Sequence, residues 1–261
     1  MTIKELLNLG INKLKKSDST SPSLDAEVLL SFILKKPKEH LYTYSEKPVS
    51  TVDESRYFAL LQDRSKSIPI AYLIGKKGFY EGEFIVNEHV LIPQPRTENL
   101  ITAILEALNG RANLSILDLG TGSGAIIISV AKKLGPSNTY FASDISAEAL
   151  KVAKRNAKNH GVSVEFKRGD LLKPWKRQFD VVIANLPYLE IMPTGEAKYE
   201  PRLALLGGKE GLELYHRLFA QLSENPPQYL FMEVDNAKQK AKLNKISELK
   251  LPQTKTIIID K

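Results

Sequence analysis

The stretch ILDLGTGSGA, residues 116–125, sets three glycines between two apolar runs. Residues 116–119 read as a short buried strand, and the following AIIISVAKKL reads as a helix. Gly120, Gly122 and Gly124 therefore stand at a strand-to-helix turn. Glycine there lets the backbone approach a ligand, and the helix N-terminus aims N–H groups at it. The spacing is G-x-G-x-G, whereas a dinucleotide fingerprint would carry its third glycine one position later. Asp144 closes the next strand, 20 residues after Gly124, where a carboxylate can accept from ribose hydroxyls. Asp170 closes the third, with Leu171 beside it to cover a flat ring. A glycine turn alone ends many α/β strands. Loop, spacing and two strand-end acids together predict a nucleoside-shaped ligand lying across the carboxyl edge of a sheet.

The same rhythm extends outward. LSILDLG, TYFASD, VEFKRGD, FDVVIAN, QYLFMEVD and KTIIID are short apolar runs, with helical stretches such as AEALKVAKRNAKNH between most of them. Apolar strands alternating with helices predict an α/β fold, a Rossmann-like parallel sheet covered on both faces. Residues 1–75 read instead as a small all-helical domain. Ile3, Leu6, Leu7, Ile11 and Leu14 keep helical spacing, while Glu5 and the absence of arginine argue against a transit peptide. Ser21-Pro22 opens a second helix whose apolar face is Leu24, Val28, Leu29 and Phe32. Thr51 and Glu54 stand at capping-box spacing. GFYEGEFIV signals a hairpin around Glu81-Gly82, and Thr97 is placed to cap ENLITAILEAL. The predicted division is a helical domain over 1–75, a β-hairpin linker over 76–96 and a Rossmann-like domain over 97–261.

Composition narrows the function classes. With 261 residues, 43% of them hydrophobic, the chain can bury a sizeable core. No apolar run reaches about 18 residues, so no membrane-spanning helix is predicted. Zero cysteine excludes disulfides, thiolate nucleophiles and Cys-ligated zinc, and fits a reducing cytoplasm. The four histidines are scattered, so no metal site is expected. A net charge of +7 favours contact with nucleic acid or with something bound to it. The lysines are spread along helices without interleaved aromatics, however, which is the pattern of a solvated surface.

FDVVIANLPYLE, residues 179–190, ends a strand on Asn185-Leu186-Pro187-Tyr188. The Asn185 side-chain oxygen and the Leu186 carbonyl are two acceptors for an NH2 group. Pro187 fixes φ and biases Leu186 toward an extended conformation, which aims that carbonyl. Tyr188 offers a flat wall. In most proteins Asn-x-Pro-Tyr is a plain turn, but after a strand and downstream of the glycine loop it predicts a clamp for a planar NH2 donor.

Asn-x-Pro-Tyr corners occur in methyltransferases acting on adenine amines and on glutamine side chains. PIAYLIGKKGFYEGEFIVNEHVLIPQPRTE (69–98), ILDLGTGSGA, DISAEALKVAKRNA, FDVVIANLPYL and YEPRLALLGGKEGLELY (199–215) resemble the release factor glutamine methyltransferase family, as does LDAEVLL in the helical domain. The resemblance covers nearly the whole chain. It implies an S-adenosyl-L-methionine-dependent enzyme that methylates the glutamine of the Gly-Gly-Gln loop in a peptide-chain release factor. The partner would be that protein, with no direct nucleic acid, no membrane and nothing demanding more than a monomer. By resemblance Gly120, Thr121, Gly122, Ser123, Gly124, Asp144, Asp170, Leu171 and Asn185 hold the cofactor. Asn185, Leu186, Pro187, Tyr188, Glu200 and Arg202 hold the glutamine, with Asn185, Pro187 and Tyr188 at the chemistry. The alternative is an adenine-amine N6-methyltransferase on RNA or DNA, which Leu186 in place of the family's usual proline and the basic charge favour.

Three further departures carry expectations. Gln94 and Arg96 reverse the family's local charge order, and Asp235 replaces a glycine, which would matter at a positive φ. A seventh, antiparallel strand, which in the family inserts between strands five and six, is missing, so a gap or exposed edge is expected there.

Overall fold

In the computed structural model residues 1–260 are described and fall into two units, 1–75 with 193–199, and 76–192 with 200–260. The first is helical: α1 (Ile3–Leu14), α2 (Pro22–Leu34), α3 (Lys38–Thr43), α4 (Thr51–Arg64) and α5 (Ile70–Ile74). Thr2 and Glu5 close a capping box on α1. Its apolar stripe meets Leu29, Leu30, Tyr57 and Leu61 in one core.

Two sequence expectations shift here. α2 buries Asp25, Ala26, Leu29 and Leu30, whereas Leu24 and Phe32 are exposed. The helix is apolar nearly all round, so two faces compete in the sequence. The buried face carries Asp25, whose carboxylate takes the Arg64 Nε–H at 2.7 Å. Arg64 also donates to Glu196 and to the Ile68 carbonyl, and the Tyr199 hydroxyl donates to the Lys66 carbonyl, which fastens 193–199 into this unit. The cap of α4 is Ser50 rather than Thr51: Ser50 Oγ accepts from the Asp53 N–H at 3.1 Å.

The second unit opens with β1 (Lys76–Phe79) and β2 (Gly82–Ile85), an antiparallel pair in which Phe79 faces Gly82. The turn is therefore Tyr80-Glu81, one residue earlier than expected. Phe79 and Phe84 enter the core beside Leu100 and Ile104 of α6 (Glu98–Leu108). The hairpin is part of the packed unit and not a linker. Thr97 precedes α6 but makes no capping bond, because a 3-10 turn over Pro95–Thr97 already gives it helical angles.

Six strands then form one parallel sheet: β3 (Ser115–Leu119), β4 (Thr139–Asp144), β5 (Glu165–Arg168), β6 (Val181–Ala184), β7 (Tyr229–Glu233) and β8 (Lys255–Ile259). Their order is β5-β4-β3-β6-β7-β8. The intervening helices are α7 (Ala125–Leu134), α8 (Ala147–His160), the short α9 (Arg202–Leu205), α10 (Glu213–Leu222) and α11 (Ala237–Lys250). Side chains alternate between faces. Leu117, Leu119, Val182, Leu230 and Met232 pack with α10 residues Leu218 and Phe219, while Ile116, Val181, Ile183 and Phe231 pack with α6 and α7.

Of the expected gap or exposed edge, no gap forms, and β8 stands at the edge of the sheet. β7 and β8 pair directly, from Tyr229 opposite Lys255 to Glu233 opposite Ile259, with no strand between them. Asp235 is not in the left-handed region, so its lack of a glycine is harmless.

β3 and β6 lie side by side, although α7, β4, α8 and β5 separate them in sequence. The chain reverses its winding direction between them. In open α/β sheets ligands bind at that switch point, beyond the carboxyl ends of the strands. The glycine turn follows β3, and Asn185 follows β6.

Candidate active site

A cavity of about 700 Å³ opens at the switch point, within the range of small-molecule sites. Gly120, Gly122, Asp144, Asp170, Leu171, Asn185, Leu186, Pro187 and Arg202 all line it. Thr121, Ser123, Gly124, Tyr188 and Glu200 do not.

The glycine turn is braced by its own neighbourhood. The Gly120 and Thr121 N–H groups both donate to the Ser143 carbonyl, at 2.8 and 3.1 Å. Asp144 Oδ2 accepts from the Gly122 N–H at 2.9 Å, and its Oδ1 accepts from Ser146 N–H at 2.8 Å. Thr121 turns inward, donating to Asp118 Oδ2 at 2.6 Å, and Ser123 is buried with its carbonyl taken by Asn156 Nδ2. Both support the turn from behind. Gly120 has φ +67°, and a Cβ there would stand 3.2 Å from Leu186 Cδ2, so turn and corner touch. A Cβ on Gly122 would meet nothing within 4 Å, because that side of the turn faces the cavity.

Electrostatics separate the three acids. Burial pushes the Asp118 carboxyl up to about 7, with the nearby Asp144 charge adding to it. Burial also raises Asp144, against the backbone N–H groups that it accepts. Asp170 moves the other way, because Lys173 and Arg217 both pair with its Oδ2 and hold it below the usual carboxylate range. Leu171 beside it adopts φ +53°, an uncommon angle for leucine that turns the chain at the cavity wall.

The corner after β6 is wired to distant parts of the chain. Glu233, at the end of β7 and 2% exposed, accepts from Asn185 Nδ2 at 3.3 Å through Oε2. Its Oε1 accepts from the Tyr188 hydroxyl at 3.2 Å and from Arg96 Nε at 3.3 Å. Arg96 Nη2 also donates to the Tyr188 oxygen at 3.0 Å. Burial and the Glu233 charge push the Tyr188 phenol up, so it stays protonated as a donor. The Tyr215 hydroxyl lies 3.3 Å from the Leu186 N–H and donates to the Glu233 carbonyl, while Gln239 Nε2 donates to the Tyr188 carbonyl at 3.0 Å.

Two predicted roles change accordingly. Tyr188 is not a wall of the cavity: its ring is buried beneath the corner because its hydroxyl completes the Glu233 network. Glu200 does not face the cavity either, since its Oε2 accepts from the Ile92 N–H at 3.0 Å. Arg202 does line it, as does Leu203, which is 72% exposed. Arg96 has a partner of opposite charge in Glu233. Sequence reasoning missed Glu233, Tyr215, Gln239 and Arg217. The available signal was Glu233 itself, an acid inside the apolar strand YLFME that must find donors when buried.

An open doubly wound sheet with a glycine turn and a polar corner at its switch point is the architecture of a nucleoside-cofactor enzyme. Residues 111–205 match the methyltransferase domain profile and residues 5–75 that of the PrmC N-terminal domain. The release factor glutamine methyltransferase of Koribacter versatilis is 36% identical over 243 residues, covering 90% of this chain and 86% of that protein. That of Aliivibrio fischeri is 37% identical over 224 residues, covering 83% and 78%. The chain belongs to the release factor glutamine methyltransferase family. Among solved structures, the hMettl16 catalytic domain in complex with a 3′UTR hairpin covers 84% of this chain and 82% of its own at TM-score 0.53; at 13% identity it shows the fold alone. No helix among the described residues is long and apolar enough to cross a membrane.

Proposed function

We propose that this protein transfers a methyl group from S-adenosyl-L-methionine to the side-chain amide nitrogen of a release factor glutamine. The single observation that carries the reading is the meeting of the glycine turn and the Asn185 corner in one cavity. The donor set suits the cofactor. Glycine backbone, two strand-end carboxylates for hydroxyl and amine groups, and apolar Leu171 and Ile145 for a flat ring all face the same space. Gly120, Gly122, Asp144, Asp170 and Leu171 would hold it.

When bound, the cofactor supplies a methyl group already activated by a sulfonium. The residues of the corner then have one task, which is to make an amide nitrogen attack. That nitrogen is a poor nucleophile, because its lone pair is delocalised into the carbonyl. Asn185 Oδ1 and the Leu186 carbonyl would accept its two N–H bonds, which draws density back onto nitrogen and fixes its direction. As the nitrogen gains the methyl group the sulfur keeps the electron pair of the bond it loses, and one N–H proton passes to solvent from the cavity. The Tyr215 hydroxyl lies closer to the Glu233 carbonyl and 3.4 Å from the Leu186 carbonyl, whose second lone pair is the one that would accept from the substrate. Positioning of this kind can supply roughly 7–11 kcal/mol of a reaction barrier. Leu203 and the 80%-exposed Ile191 give the second unit an apolar surface for a protein substrate.

The test is transfer of labelled methyl from S-adenosyl-L-methionine to either a release factor or an adenine-containing RNA. Label on the release factor, lost when its Gly-Gly-Gln glutamine is changed to alanine, is the expected result. Label on the RNA alone would assign the enzyme to adenine amines instead.

A further inference from the structure

We propose that Glu233 is a positioning residue for the transfer: it locks the Asn185 amide with its NH2 inward and its oxygen toward the cavity. This rests on the reading of Asn185 as the acceptor for the substrate NH2. The two ends of an asparagine amide are nearly the same shape, and its neighbours decide which way it faces. Here the neighbour on the protein side is a carboxylate, which when ionised can only accept.

Three donors converge on the Glu233 carboxyl and occupy both of its oxygens: Arg96 Nε and the Tyr188 hydroxyl on Oε1, and Asn185 Nδ2 on Oε2. A flipped Asn185 would set its oxygen against Oε2, two acceptors in contact with no proton between them. The inward end of the amide is therefore Nδ2. Among the described residues Asn185 Oδ1 takes no hydrogen bond from the chain, and Asn185 lines the cavity whereas Glu233 does not. The acceptor that the chemistry needs is thus oriented before any substrate arrives. Pre-set dipoles of this kind do not have to reorient during the reaction.

The informative variant is Glu233→Gln, which keeps the shape and removes the charge. A glutamine can turn its own NH2 toward Asn185, so both amide orientations become available and the acceptor is lost part of the time. The expected result is a fall in kcat of about tenfold or more for methylation of the release factor. S-adenosylhomocysteine affinity by calorimetry, and KM for S-adenosyl-L-methionine, should stay within about twofold, because Glu233 does not line the cavity. Unchanged kcat overturns the proposal, and so does an equal fall in S-adenosylhomocysteine affinity, which would mark a general structural role. Side-chain amide exchange by NMR on the wild-type protein tests the lock without any activity or any need for the variant to fold. The Asn185 side-chain resonance is assigned on the wild-type protein through its connectivity to its own backbone amide. One Nδ2 proton protected from solvent is expected; two protons exchanging as in an exposed asparagine would overturn the lock. If the wild-type protein methylates no release factor, the functional reading fails, and the exchange measurement still decides the orientation.

Discussion

The two loops that meet at the switch point are held in opposite ways. The glycine turn after β3 is fastened by bonds to Asp118, Ser143, Asp144 and Asn156, all within 33 residues along the chain. The corner after β6 is fastened by bonds spanning 29 residues to Tyr215, 48 to Glu233, 51 to Gln239 and 92 to Arg96. A locally braced loop is a preformed cradle whose geometry depends on two adjacent strands. A corner braced from afar reports the assembly of the whole sheet edge, since β7, α10 and α11 must all be docked before it takes shape. Cofactor binding and methyl transfer should therefore be separable by mutation.

The sharpest way to break that separation is Asn185→Ala. It should lower kcat about 10- to 100-fold through the lost acceptor, with S-adenosylhomocysteine affinity by calorimetry little changed. A parallel loss of affinity would merge the two loops into one site. Next comes Tyr215→Phe, which leaves the Leu186 N–H and the Glu233 carbonyl without their hydroxyl. It should cost about 1–3 kcal/mol in urea unfolding. A smaller effect belongs to Gly124→Ala. The position has φ +80°, and the new Cβ would meet Ile128 Cδ1 at 2.9 Å, so about 1–2 kcal/mol of stability should be lost.

The fourth prediction concerns pH. Asp118 titrates near 7 in the folded protein and near its ordinary value of 3.8 when unfolded. Between those values the folded state binds the extra proton, so this group's contribution to stability is lost as pH rises through about 7. From pH 6 to pH 8 the loss is about 1 kcal/mol, and Asp118→Asn should flatten it in parallel urea titrations. The smallest effect is expected at Asp170→Asn. Its partners Lys173 and Arg217 are exposed, and removing such pairs changes stability by less than about 1 kcal/mol. Its signature is weaker S-adenosylhomocysteine binding at nearly unchanged stability.

The same contrast explains what could be read without coordinates. The alternation of apolar strands and helices is a local signal, and the parallel sheet followed from it. So did the glycine turn with Asp144, because strand, turn and next strand are contiguous. Asn185 was legible as a residue type in a known corner, but its orientation was not, since Glu233 lies at the end of the neighbouring strand β7, 48 residues away along the chain. Tyr188 misled for the same reason: an aromatic in a corner suggests a wall, and only the buried Glu233 draws its hydroxyl inward. In α2 the error arose from symmetry. With apolar residues on most sides, only the Asp25–Arg64 pair, 39 residues apart, selects the buried face. The expected gap assumed that the last two strands would stay apart, whereas β7 and β8 close directly on each other, with β8 at the sheet edge.

The central claim is that the turn and the corner act together to methylate a glutamine. Its most direct test is peptide mass spectrometry of a release factor incubated with the protein and S-adenosyl-L-methionine. One added methyl group on the Gly-Gly-Gln glutamine, formed about 10- to 100-fold more slowly with Asn185→Ala, is the predicted result. An unmodified glutamine alongside tight S-adenosylhomocysteine binding would contradict it.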